Sequence, residues 1–301
     1  MGGHTFGGAW TDDKLDRLEK YLSAYRTIFE RNERAQYFKT WYVDAFAGTG
    51  IRSVQDGPAE SLFEADYEDP ESQSYRDGSA KIALRLESPF DGYLFIEKSK
   101  TRLNELRQHI EAHHRNLLNR CEFGAGDANV YLRRWVAARD WRRERAVVFL
   151  DPYGMQVEWK TIELLAETKA IDLWYLFPLG IGVARLLVRD GKIEEDWERR
   201  LDLVFGTNEW KARFYEAQTV TDLFGTREEV IRDAGEKKIA AFVEERLKTC
   251  FVGVAKGLIL RNSKSNPLYL LCFAASNERG AGPALKIAQS ILGGSRRVTR
   301  L

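Results

Sequence analysis

Four acidic residues of this 301-residue chain stand where segments that read as buried strands come to an end. They are Asp44 before AFAGTG, Glu97 at the end of GYLFIE, Asp127 in GAGDAN and Asp151 in LDPYG. In an open parallel sheet the carboxyl ends of the strands meet at one edge, which is where ligands bind. The sequence therefore predicts that the four carboxylates border one ligand site.

The turn after Asp44 predicts a nucleotide-binding loop, to which we also assign Phe46. Gly48 and Gly50 allow the backbone to approach a nucleotide closely. The carboxylate of Asp44 would hold the ligand's amino group or an ordered water. A tight turn from strand to helix with no ligand is the alternative interpretation.

Glu97 and Asp127 are predicted to bind the nucleoside of the same cofactor. An acidic side chain at the end of the second strand can accept hydrogen bonds from both ribose hydroxyls, and this role suits Glu97. Asp127 is placed to accept a hydrogen bond from the adenine amino group. An aspartate there is equally suited to cap the following helix, and that alternative stays open.

The segment Leu150–Gly154 predicts a socket for a planar amine. Asp151 would accept a hydrogen bond from an exocyclic amino group, and the carbonyl of Pro152 would be a second acceptor. Tyr153 would stack on the base. A flipped or single-stranded adenine suits this set of groups. The alternative is an ordinary Asp-Pro turn at the end of a strand.

Alternating strand and helix patterns position these residues. Helices are predicted from Trp10 and over 78–86, 99–112, 127–138 and 158–168, and strands over 38–46, 92–97, 121–126, 146–151 and 171–177. Such alternation indicates right-handed βαβ units and a parallel sheet. The segments 251–261 and 267–276 read as a hairpin followed by a helix. We expect a Rossmann-like α/β fold with seven strands, the last two antiparallel.

Two segments interrupt this alternation. Residues 189–250 are charged and are predicted to form a helical insertion within a single domain that spans 1–301. Residues 55–77 are polar and acidic with no sustained period, so they read as a long loop or lid beside the glycine turn.

The motifs together resemble the three-Cys-motif partner protein family. The similarity rests on YVDAFAGTG, FIEK, GDAN, FLDPYG, DLWYLFPLGIGVARLL and FGTNEW and extends to PLYLLCFAASN and ALKIAQSI. The resemblance implies a class I methyltransferase fold, S-adenosylmethionine as cofactor and a separate partner protein bearing three cysteines. The loop also resembles the Asp/Asn-Pro-Pro-Tyr/Phe motif of N6-adenine methyltransferases. Gly154 follows the aromatic residue here and a second proline is missing, so the target atom and the activity stay open.

The leading hypothesis is methyl transfer from S-adenosylmethionine to a base amine of DNA or RNA. Phe177 and Pro178 would border the reaction loop, and Arg185 would reach a phosphate. The alternative is a non-catalytic nucleotide-binding or scaffold subunit that docks a three-cysteine protein through 189–250. A nuclease using the carboxylates with a divalent ion is disfavoured, because nothing in their spacing predicts a metal cluster.

Composition narrows the class of protein. With 46 basic and 45 acidic residues the net charge is +1, which argues against a general polyanion binder but not against a local basic face. Three separated cysteines suggest neither disulfides nor zinc, and no signal peptide or membrane span is evident, so we expect a cytoplasmic protein. A run of cations and aromatics is either a nucleic-acid surface or a solvated face: Arg133, Arg134, Trp135, Trp141, Arg142, Arg143 and Arg145.

Overall fold

A mostly parallel β-sheet is the centre of the fold in the computed structural model, which describes residues 9–49, 78–222 and 225–294. The strands in these ranges are β1 (Lys39–Asp44), β2 (Gly92–Glu97), β3 (Cys121–Ala125), β4 (Glu144–Leu150), β5 (Ile171–Phe177), β6 (Tyr215–Asp222), β7 (Gly225–Arg232), β8 (Gly253–Val254), β9 (Leu258–Arg261) and β10 (Pro267–Ala275). The main sheet runs β3-β2-β1-β4-β5-β10-β8, and β9 also pairs with β10.

The first five strands are parallel, and β10 is antiparallel to β5, β8 and β9. This confirms the Rossmann-like α/β fold with a mostly parallel sheet that the sequence predicted. The count of seven strands was wrong, because the predicted strand 251–261 is broken into β8 and β9. The break occurs where the backbone N–H of Gly257 donates to Oε1 of Glu244, at 2.8 Å, instead of to a neighbouring strand.

Helices cover both faces of the sheet. They are α1 (Ala9–Arg31), α2 (Ser79–Leu84), α3 (Lys100–His113), α4 (Ala128–Ala137), α5 (Trp159–Glu167), α6 (Glu195–Phe205), α7 (Trp210–Phe214), α8 (Glu236–Cys250) and α9 (Ala281–Gly293). The apolar sides of α1, α2, α3 and α9 form one core layer, and those of α4 to α8 form the other. Buried strands with helices on both sides explain the continuous apolar runs in the sequence.

The segment 189–250 is not wholly helical as predicted. It contains α6, α7 and α8, but between α7 and α8 it forms the hairpin of β6 and β7, which pair only with each other among the described strands. β6 carries Thr219, Val220 and Thr221, residue types that favour strands, and cross-strand pairing overrides the helix-like pattern of its partner. Its assignment to a single domain with the rest of the chain stays a prediction.

A π-helical turn, Leu179–Val183, follows β5 and lies against the start of β10. A Cβ atom at Gly180 would overlap the backbone carbonyl oxygen of Pro267. We therefore expect Gly180→Ala to lower the free energy of unfolding by about 1–3 kcal/mol, measured by urea denaturation. The matched control is Gly282→Ala in α9, where a Cβ meets nothing within 4 Å. Equal stability of the two variants would contradict this close packing.

Candidate active site

Three of the four predicted carboxylates come together at the carboxyl edge of β1, β2 and β4. In the ladder, Asp44 stands opposite Phe95 of β2 and Phe149 of β4. Glu97 lies two residues after Phe95, and Asp151 lies two residues after Phe149. The two carboxylates therefore flank Asp44, one on each side. The sheet register therefore places one carboxylate centrally and one to each side of it.

Asp44 is fully buried, and its side chain accepts two well-defined hydrogen bonds. The Ser79 hydroxyl donates at 2.6 Å and the Phe46 backbone N–H at 3.2 Å. Burial raises the pKa of Asp44 to about 6, and these two hydrogen bonds oppose the rise. The Asp151 carboxylate raises this pKa further, whereas the Lys14 ammonium lowers it. The ionisation of Asp44 thus depends on groups at the opposite side of the site.

Glu97 holds the glycine turn in place. Gly48 has φ +61° and donates its N–H to Oε2 of Glu97 at 3.1 Å, while the Ser99 N–H donates to Oε1 at 3.0 Å. Each carboxylate oxygen can accept a further hydrogen bond, so the predicted ribose contact is compatible with this geometry. Phe46 is half-buried in the same turn, and Gly50 lies outside the described residues.

Asp127 adopts the alternative role considered for it. It is the N-cap of α4, where its Oδ1 accepts from the Val130 N–H at 3.0 Å. The adjacent Gly126 has φ +136°, and a Cβ built there meets nothing within 4 Å. The helix cap is a sufficient structural role for Asp127 without a ligand. Its contact with adenine stays a prediction, with open space for a ligand at Gly126.

The reaction loop follows β4. Asp151 is partly buried, Pro152 is buried and Tyr153 is half-buried, with its N–H donating to Oε1 of Gln156 at 3.1 Å. Tyr153 stands where the related motif has its second proline, which has no N–H to make this hydrogen bond, and Gly154 has φ +58°, a conformation that favours glycine. The departure from that motif is therefore a different turn at the same place in the fold.

Asn129, which the sequence analysis did not single out, ties this loop to the start of α4. Its Nδ2 donates to the Gln156 carbonyl at 2.9 Å. Its Oδ1 accepts from the Glu158 N–H at 3.0 Å and from the Thr161 hydroxyl at 2.9 Å. The available signal was an asparagine two residues after a possible helix cap, but its partners lie 27 to 32 residues away in sequence.

Lys14 is the second residue that the sequence analysis missed. Its Nζ lies 2.6 Å from Oδ2 of Asp151, and the two side chains are 1% and 12% exposed. The ammonium also lies over the Phe149 ring, 5.9 Å from its centroid. The signal was its position, because Lys14 precedes Leu18 by one helical turn on the apolar stripe of α1. A charge on the buried side of a helix needs a partner in the core.

The residues predicted to contact substrate after β5 divide into two kinds. Phe177 is fully buried and packs at 5.7 Å between ring centroids on Phe205, an arrangement of a core residue rather than a substrate contact. Pro178 is also buried, whereas Arg185 is exposed on the turn that follows the π-helical segment. Substrate contact by Pro178 and Arg185 stays a prediction.

The basic and aromatic run before β4 lies at the opposite edge of the sheet from Asp151. Of its five arginines, Arg145 lies 3.7 Å from the Phe38 ring centroid, whereas the others are exposed: Arg133, Arg134, Arg142 and Arg143. Trp135 is buried against Trp41. Packing therefore accounts for Trp135 and Arg145, and both interpretations of the exposed arginines, a nucleic-acid surface or a solvated face, stay open.

Within the described ranges no cluster of three His, Cys, Asp or Glu residues is arranged to hold a metal ion. His109 and His113 stack on each other, with 4.4 Å between their centroids, and the three cysteines are unpaired thiols. Among the described helices none is both long and apolar enough to cross a membrane.

No family model matches the chain, and no curated protein matches it. Similar solved structures include an S-adenosylmethionine-dependent methyltransferase from Clostridium acetobutylicum, with 12% identity, TM-score 0.37 and coverage of 88% of this chain and 96% of that one. An O-methyltransferase from Bacillus cereus in complex with SAH has 15% identity, TM-score 0.32 and coverage of 71% and 80%. A spermidine synthase with a transition-state analogue has 10% identity, TM-score 0.38 and coverage of 95% and 75%.

Proposed function

We propose that this protein is an S-adenosylmethionine-dependent methyltransferase that modifies an exocyclic base amine, adenine N6-like, in DNA or RNA. The observation that carries the proposal is the register of β1 and β4. It sets the acceptor carboxylate of Asp151 beside Asp44, on the edge where Glu97 orders a glycine turn. A carboxylate that can accept a hydrogen bond from the substrate amine, next to a nucleotide-type turn, is an arrangement suited to methyl transfer to nitrogen.

The residues at this edge fit the cofactor. The Asp44 carboxylate would hold its positively charged part, Glu97 would accept from the ribose hydroxyls, and the open space at Gly126 would admit the base. The cofactor, when bound, supplies a methyl group on a sulfonium leaving group. Because this leaving group needs no protonation, the protein's task is alignment and charge stabilisation.

The chain's own groups would then orient the nucleophile. Asp151 accepts a hydrogen bond from the substrate amine and is placed to take the proton that the nitrogen releases. Tyr153 stacks on the base, and the Pro152 carbonyl is the second acceptor. Lys98 and Lys100, both exposed, follow Glu97 directly and would contact phosphates of a nucleic-acid substrate.

The second candidate function is that of a nucleotide-binding scaffold for a three-cysteine partner protein. It is favoured by the hairpin of β6 and β7, whose strands pair with no other described strand. Two-stranded hairpins are marginally stable alone, and their open edges pair readily with other chains. The partner would dock on this hairpin while the cofactor edge keeps a regulatory role.

Incubation with radiolabelled S-adenosylmethionine and separate pools of DNA, ribosomal RNA and transfer RNA tests the proposal, with and without the suspected partner. We expect label to enter one pool and to be lost in Asp151→Ala. Cofactor binding without label in any pool would instead favour the scaffold function. Wild-type protein that binds no cofactor by calorimetry would remove both candidates.

A further inference from the structure

The ion pair between Lys14 and Asp151 is a buried contact between the first helix and the reaction loop. Its partners are 137 residues apart in sequence, and the lysine side chain is 1% exposed. Burying a charged group costs on the order of several kcal/mol of desolvation free energy per ion. Because of this cost, a buried ion pair can often be replaced by apolar side chains without loss of stability. A contribution to stability is thus a weak explanation for the pair.

The position of Lys14 is imposed by the scaffold. Leu18 and Leu22 of α1 are buried in the core layer beneath the sheet. From the same helix, the Arg17 guanidinium donates to the carbonyls of Ile291 and Gly294 at the end of α9, the latter at 3.1 Å. Because these contacts hold α1 against the rest of the fold, they fix the position of the Lys14 ammonium relative to Asp151.

The same ammonium acts on Asp44. The charged or titratable groups that face Asp44 are Tyr42 on its own strand, Asp151 after β4 and Lys14 on α1. Of these, Lys14 is the one that favours the ionised carboxylate, and the other carboxylate opposes it. One buried cation is therefore paired with the predicted acceptor for the substrate and lowers the pKa of the predicted acceptor for the cofactor.

We propose that Lys14 is a positioning residue, which fixes Oδ2 of Asp151 so that Oδ1 faces the substrate amine and which keeps Asp44 ionised for the cofactor. This inference rests on the proposed function, because it assigns roles to the two carboxylates. It makes α1, which precedes the nucleotide-binding strand, part of the active site. A change at Lys14 should then affect both cofactor binding and catalysis.

The test uses the full chain with Lys14→Met, Lys14→Arg and the control Lys20→Met. Lys20 is on the same helix, is 63% exposed and pairs with Asp16 one turn away. Two quantities are measured across pH 5–9: the dissociation constant of S-adenosylmethionine by calorimetry, and the rate of methyl transfer at saturation.

In Lys14→Met the pH midpoint of cofactor binding is expected to rise above that of the wild type, because Asp44 loses a positive charge that favours its ionised form. Lys14→Arg keeps the charge but moves the carboxylate, so we expect an unchanged midpoint and a kcat about 10- to 100-fold lower. Lys20→Met should match the wild type in both. Folded Lys14→Met with a wild-type midpoint and kcat would overturn the proposal.

A Lys14→Met variant that fails to fold is replaced by the double variant Lys14→Met/Asp151→Leu, in which neither member of the ion pair is left without the other. Cofactor binding should persist in it, and comparison with Asp151→Leu alone isolates the effect of the ammonium on Asp44. An identical binding midpoint in these two variants would contradict the proposal. The pH dependence of unfolding reports the ionisation of Asp44 without cofactor. If the wild type binds no cofactor, the proposed function is refuted. The effect of Lys14 on Asp44 is then still measured by comparing the unfolding of the variants.

Discussion

Asp151→Asn is expected to lower kcat for methyl transfer by about 10²–10³-fold, the usual effect of removing one group that stabilises charge in a transition state. Asparagine keeps the size of the side chain and an oxygen for Lys14, but it provides no anionic acceptor for the substrate amine. Because Asp151 touches the substrate and not the cofactor in this scheme, S-adenosylmethionine should still bind. Label incorporation at saturating substrate and calorimetry measure the two effects separately.

Asp140→Asn is the matched control for that experiment. Asp140 pairs with Arg142 at 3.0 Å on the opposite edge of the sheet, and its side chain is 42% exposed. The same chemical change there should leave kcat and cofactor affinity as in the wild type. If Asp151→Asn keeps full activity while remaining folded, the amine acceptor is another group and the reaction loop has been assigned wrongly.

The second large effect is expected for Asp44→Asn, which should weaken cofactor binding and stabilise the protein at once. The buried carboxylate is the proposed anchor for the cofactor, and loss of a buried charged hydrogen bond weakens binding by about 30-fold or more. With a pKa of about 6 against 3.8 for an ordinary aspartate, its ionisation destabilises the fold by about 3 kcal/mol at most above pH 6.

The sign of the pH dependence follows from proton binding. Between pH 6 and 3.8 the folded protein binds more protons at Asp44 than the unfolded chain does, so its contribution to the free energy of unfolding rises as the pH falls. The stability gain of Asp44→Asn over wild type should therefore be largest above pH 6 and vanish near pH 4. Wild-type cofactor affinity should fall through about pH 6, as the carboxylate becomes protonated.

Asp172→Asn is the control that separates stability from binding. Burial likewise raises the pKa of Asp172 to about 6, and its carboxylate accepts from the Tyr21 hydroxyl at 2.7 Å, away from the site. Urea denaturation should show a similar pH-dependent gain in stability, and calorimetry should show unchanged cofactor affinity. A loss of affinity in both variants would mean that binding follows buried charge in general and not Asp44 in particular.

The sequence by itself determined most of the secondary structure and the position of the site. Apolar runs such as GYLFIE and IDLWYLF are read directly as buried strands, and both coincide with the observed β2 and β5. Because every parallel strand ends at the same edge, Asp44, Glu97 and Asp151 could be assigned to one place before their contacts were known. Local pattern is sufficient where an element is buried along its whole length.

The hairpin of β6 and β7 shows where local pattern fails. The segment REEVIRDAG has the charge spacing of a surface helix, yet most of it pairs with a strand that precedes it in the chain. Similarly, the single apolar segment 251–261 forms two strands because Glu244 of another element takes the N–H of Gly257. Both outcomes depend on partners that the segment itself does not contain.

Only the tertiary structure decided which groups act on the carboxylates. A lysine on the first helix and an asparagine after a helix cap reach the reaction loop across more than 25 residues of sequence. The burial that raises the pKa of Asp44, and the commitment of Phe177 to the core, likewise follow from how helices pack on the sheet. Periodicity indicates which side of a helix is buried, but the distance between an ammonium and a carboxylate is set by the packing of whole elements.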